Sequence, residues 1–139
     1  MFEEEQDNKI YNLLITRGKN HEEDYNTFID KLYKKGDFLW KESVAASYSH
    51  LPESFFNKID AIIILSGTYT SNKEEIDDIV TAAKHFDIPI VLVRPYGMEE
   101  VPENLEAVAT TLVGWNSNCI VEAIKGAING DYESACGIE

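Results

Sequence analysis

Arg94 closes the apolar run IPIVLV and opens RPYG, and Arg17 follows the run IYNLLIT in the same manner. Around them stand Thr16, Gly67, Tyr69, Ser71, Tyr96, Gly97, Trp115 and Asn116, each within a few residues of the end of an apolar run. These residue types suit a planar, anionic ligand. Guanidinium groups take phosphate in bidentate fashion, aromatic rings stack on bases, and glycine lets backbone approach closely. Plainer roles compete: Gly67 and Gly97 can simply turn the chain, Trp115 can fill a core, and Tyr69 and Tyr96 fit either use.

One carboxylate has no structural duty in the sequence. Ser71-Asn-Lys-Glu74 reads as a capping box, which accounts for Glu74, and Ile76, Ile79, Val80 and Ala83 form the apolar stripe of the helix that follows. Glu75 belongs to neither. In a first helical turn it is either a solvated acid favoured by the helix dipole or a group placed to stabilise the oxocarbenium-like charge of a breaking ribosyl bond.

Other chemistries lack their residues. His21-Glu-Glu-Asp-Tyr25 imitates a zinc-binding HExxH but has no second histidine, and none of the three histidines accompanies an apparent nucleophile, so no metal site is expected. The first strand ends on Thr16-Arg17 and the third on Ser66-Gly67, where a phosphate-accepting receiver domain needs aspartates. ITRGKNHEED is too charged for a flavin-phosphate loop. Cys119 and Cys136 stand alone, as a small buried residue and a tail residue, which fits a reducing compartment.

The elements that must position these residues alternate along the chain. Strands are expected at 10–16, 38–41, 61–65, 88–93 and 111–113. A helix opens at the capping box Asn20–Glu23 and stops at Gly36, a second follows Ser71, a short one carries Pro102 in its first position, and a last one is capped from Asn116–Asn118. Residues 43–57 read as a loop with one or two helical turns after Pro52. Strand–helix alternation with short connections demands a parallel sheet with right-handed crossovers and helices on both faces. The expected fold is a flavodoxin-like three-layer α/β/α sandwich, five strands in the order 2-1-3-4-5, with any ligand at the carboxyl ends of the strands.

At 139 residues the chain forms one domain, 10–130, between acidic tails at 1–9 and 131–139 that hold seven acids and no more than one base. A net charge of −13 argues against nonspecific binding to nucleic acid or anionic lipid, although a nucleotide in one pocket remains compatible with it. No run approaches a membrane span and the N-terminus is no secretion signal, so a cytoplasmic location is expected.

From Ile10 to Ala127 the chain resembles small single-domain TIR-like proteins of archaea and bacteria, a group related to the TIR-like proteins of Thoeris anti-phage systems. The matching pieces are IYNLLITRG with Glu23-Asp24-Tyr25, DAIIILSGTY, Glu75-Ile76, KHFDIPIVLVRPYGMEEVPENLEAV and VGWNSNCIVEAI. The resemblance implies the flavodoxin-like fold, self-association or an effector protein partner, and NAD as substrate or ligand rather than as a bound cofactor. Active TIR enzymes are NAD glycohydrolases or ADP-ribose cyclases that use a glutamate early in the helix after the third strand. Counted from Lys84 and Ile88, that position is Ile79 here, and Glu75 lies one turn earlier as the remaining acid. Two alternatives follow: a non-catalytic nucleotide-binding or protein-interaction module, and a nucleoside deoxyribosyltransferase-like enzyme.

Overall fold

A computed structural model describes residues 9–16, 22–45, 51–69, 72–94 and 100–130. Five strands, β1 (Tyr11–Ile15), β2 (Trp40–Glu42), β3 (Ala61–Leu65), β4 (Ile90–Val93) and β5 (Thr111–Val113), form one all-parallel sheet in the order β2-β1-β3-β4-β5. The helices are α1 (Glu22–Tyr33), α2 (Glu53–Phe56), α3 (Lys73–Phe86), α4 (Glu103–Val108) and α5 (Ser117–Asn129). This is the expected flavodoxin-like arrangement.

The central strands are apolar on both faces because both faces are covered. All five residues of AIIIL are fully buried, and each isoleucine or leucine side chain contributes on the order of 1.5–3 kcal/mol. Alternation divides them between two cores. Leu13, Ile15, Ile63, Val91 and Val93 meet Phe28 and Leu32 of α1 and Ile120 and Ile124 of α5. Leu14, Ile62, Ile64, Ile90 and Leu92 meet Ile76, Ile79 and Ala83 of α3, Leu105 of α4 and Phe56 of α2.

One polar residue interrupts the buried strands, and its partners explain why it is tolerated. Asn12 donates from Nδ2 to the Lys58 carbonyl and accepts at Oδ1 from the Ser43 hydroxyl, both at 2.8 Å, while its backbone N–H donates to Asp60 Oδ2. It thereby ties β1 to the segments flanking β2 and β3.

Several boundaries differ from the sequence reading. β1, β2 and β4 span 11–15, 40–42 and 90–93. The helix expected to stop at Gly36 ends at Tyr33, and Gly36 does not adopt the left-handed conformation of a helix-ending glycine. Pro102 occupies the cap position before α4 rather than its first turn. α3 starts at Lys73 with Asn72 at its cap, and the Asn72 side chain makes no cap hydrogen bond; Ser71 of the expected Ser71–Glu74 box lies outside the described residues, as do Asn20 and His21. α3 is capped by Asp87, whose left-handed conformation (φ 60°) turns the Ile88 N–H onto the Ala83 carbonyl at 2.9 Å. Of the stretch 43–57, the described residues after Pro52 form the single turn of α2, and 46–50 lie outside the described residues. Among the described residues no helix is long and apolar enough to cross a membrane.

Candidate functional site

The sheet switches direction between β1 and β3, and the carboxyl ends of β1, β3, β4 and β5 carry the residues singled out in the sequence. Arg17, Ser71, Tyr96 and Gly97 lie outside the described residues. The others divide into groups whose polar atoms are already engaged and groups whose polar atoms remain available.

Thr16 is engaged. It is buried where β1 leaves the sheet, and its hydroxyl oxygen accepts the Leu65 N–H at 3.0 Å. The Thr68 hydroxyl donates to the Leu65 carbonyl at 2.7 Å, so the 3.4 Å contact between the two threonines uses the Thr16 hydrogen. A closed ring of three hydrogen bonds results, running from the Leu65 N–H through both threonines to the Leu65 carbonyl. Ser66 closes the neighbouring gap by donating to the Val93 carbonyl at 2.7 Å. These hydroxyls extend the β-ladders beyond the strand ends and have no hydrogen left for a ligand. Gly67, half-buried, sits between Ser66 and Thr68 in a 3-10 turn (Ser66–Thr68) and needs no left-handed backbone there.

Tyr69 is engaged as well. It is 7% exposed, its ring packs in the α3/α4 core, and its hydroxyl donates to Asp77 Oδ1 at 2.9 Å while accepting from Asn104 Nδ2 at 2.7 Å. It is a joint between α3 and α4. Burial is the main cause that raises its pKa above the ordinary 10.0; the Asn104 hydrogen bond works against that rise and Asp77 adds to it. Nothing local in the sequence pointed to Asn104 or Asp77 as the partners.

Trp115 is half-buried, with its ring edge-on to Phe28 of α1 at 6.3 Å, and its indole N–H donates to the Arg94 carbonyl at 2.8 Å. Asn116 caps α5, its Oδ1 accepting the Cys119 N–H at 3.1 Å, while its exposed side chain keeps the amide donors at the rim. Cys119 does not stand alone: it is buried and disulfide-bonded. The reducing compartment inferred from two unpaired cysteines loses that support; Cys136 lies outside the described residues.

Arg94 is different. Its backbone is held from two directions, the N–H by the Val113 carbonyl at 3.0 Å and the carbonyl by Trp115. Alternation sends Val91 and Val93 to the α1/α5 core and Ile90 and Leu92 to the α3/α4 core, so Arg94 leaves the ladder on the side where α3 begins. Its Nε is buried and, among the described residues, has no hydrogen-bond partner. A guanidinium N–H removed from water without an acceptor is costly, and an anion would satisfy it. Glu75 is half-buried in the first turn of α3, on the same side of the sheet, and among the described residues its carboxylate has no hydrogen bond or ion pair. Ile79, one turn further, is 2% exposed in the core. The structure therefore brings Arg94 and the start of α3 to one face, whereas the Trp115 ring belongs to the other.

No group of three or more metal-ligating side chains occurs among the described residues. No protein-family profile matches the chain, and no curated protein matches it by sequence.

Proposed function

We propose that this chain is a TIR-like module that binds NAD or an NAD-derived nucleotide at the carboxyl ends of its strands, with Arg94 holding a phosphate. The observation that carries the reading is the buried, unpartnered Nε of Arg94 on a backbone clamped by β5 and Trp115. A guanidinium donor already desolvated on a held backbone suits phosphate, and a charge-assisted contact of this kind contributes about 1.5–3 kcal/mol. Calorimetric titration with NAD and ADP-ribose should give saturable binding that Arg94→Ala weakens at least tenfold. Flat titrations, or equal affinity in the variant, would refute it. In this reading the setting is cytoplasmic anti-phage signalling, with a second copy or an effector protein as partner.

Cleavage of the nicotinamide–ribose bond is the second reading. It is favoured by the half-buried carboxylate of Glu75, which has no hydrogen bond or ion pair among the described residues and starts α3 on the same side of the sheet as Arg94, and weakened by the core position of Ile79, where the family places its glutamate. Nicotinamide release from NAD, abolished by Glu75→Gln while nucleotide binding persists, separates an enzyme from a binding module.

A further inference from the structure

The opposite pole of the molecule holds a groove of about 300 Å³ between α2 and α3. It lies far from Arg94 along the fold, because Phe56 leads into the start of β3 and Phe86 leads into the start of β4, whereas Arg94 follows the end of β4. The floor is apolar. Phe56 and Phe86 stack at 5.5 Å with 21° between their planes, and Ala82 leaves room above them. At the smaller end of the range for ligand sites, the volume suits a single-ring molecule.

The rim is built for a hydrogen-bond donor. Asp78, Thr81 and His85 lie along one face of α3 at i, i+3 and i+7 and border the groove together. Thr81 donates its hydrogen to the Asp77 carbonyl at 3.0 Å, which leaves its hydroxyl oxygen only accepting. Asp78 is acceptor-only when ionised, and among the described residues its carboxylate has no hydrogen bond or ion pair. His85 packs edge-on to Phe86 at 4.6 Å and borders the groove. One end of an aromatic-floored groove thus carries an unneutralised negative charge, and the whole chain carries −13.

We propose that this groove is a second ligand site, independent of the nucleotide reading, for a small arylalkyl amine whose ring lies against Phe56 and Phe86 and whose ammonium is held by Asp78. Charge complementarity selects the amine over an acid with the same ring, and the stacked phenylalanines select an aromatic body over a bare cation.

The test titrates the full chain with 2-phenylethylamine and, separately, with phenylacetate, which has a ring of the same size and the opposite charge, following backbone amides by two-dimensional NMR. Saturable shifts confined to Phe56, Ala82, Phe86 and their neighbours, with a dissociation constant at or below about 1 mM, are expected for the amine alone. Asp78→Asn, at an exposed position, should weaken amine binding roughly threefold to fivefold, the scale of a solvent-accessible ion pair. Absence of saturation, shifts remote from the two helices, equal binding of phenylacetate, or an unchanged affinity in Asp78→Asn would each overturn the proposal. The comparison of amine and acid uses the unaltered protein, so it stands even where a variant fails to fold.

Discussion

Replacing Thr16 by valine keeps shape and removes the hydroxyl that closes the ring at the switch between β1 and β3. The Leu65 N–H, on a residue with no exposed surface, then loses its acceptor, the Thr16 oxygen at 3.0 Å. A buried donor left unsatisfied costs about 1–3 kcal/mol. The 3.4 Å contact to Thr68 adds little, and the new methyl group offsets a fraction, so the net loss is about 2 kcal/mol. Thr16→Ser retains the acceptor and deletes only a buried methyl, which costs about 1 kcal/mol. Equilibrium urea denaturation reads the difference directly. With a slope of about 1.5 kcal/mol per M, the midpoint of Thr16→Val falls by about 1.3 M, and that of Thr16→Ser by about half as much, with the slope unchanged. A valine variant as stable as the parent, or less damaging than the serine variant, refutes the ring and restores Thr16 as a free ligand contact.

Four further outcomes follow from particular contacts. Because burial holds the Tyr69 hydroxyl neutral to a higher pH in the folded than in the unfolded chain, the folded state binds more protons above pH 10.0, and stability should fall as pH rises from there; Tyr69→Phe should flatten that part of the denaturation profile while costing about 1 kcal/mol at neutral pH for the lost hydrogen bonds. Asp87→Gly should raise the unfolding free energy by about 0.5–1 kcal/mol, since glycine adopts the left-handed φ of 60° without strain. Ile79→Glu should destabilise by about 3 kcal/mol or more, by placing an uncompensated charge in the core, and should yield no glycohydrolase; a stably folded variant that releases nicotinamide would show the core assignment to be mistaken. Asn116→Ala should cost about 1 kcal/mol in thermal or urea unfolding through the lost α5 cap, whatever its effect on a ligand.

The candidate site was legible in part. Arg94 was marked by its position after a both-faces-buried strand, and the structure leaves its Nε without a partner. Thr16, Tyr69 and Trp115 carried the same positional signal, yet their polar atoms are spent on Leu65, on Asp77 and Asn104, and on the Arg94 carbonyl. Residue type shows what a side chain can bond. It does not show which partner has already taken the bond, and for Thr16 that partner is 49 residues away in the chain.

Sequence by itself determined the architecture. Runs such as AIIIL and IVLV can only be buried on both faces, and strands that alternate with amphipathic helices through short links have essentially one handedness of crossover, which yields the parallel sheet; the order 2-1-3-4-5, the natural choice for such a chain, is the one observed. Helix ends were less determined, because a cap is a competition among adjacent residues worth about 1 kcal/mol, and Asn72 and Pro102 took positions assigned to their neighbours. Tertiary structure alone decided which polar groups at the strand ends are consumed and which are left. That outcome depends on the register between β1 and β3 and on the packing of α4 against α3, which bring hydroxyls, amides and carbonyls within 3 Å of one another from distant parts of the chain. Hydrogen bonds are short-ranged and directional, so a shift of one residue in that register would take the Thr16 hydroxyl away from the Leu65 N–H.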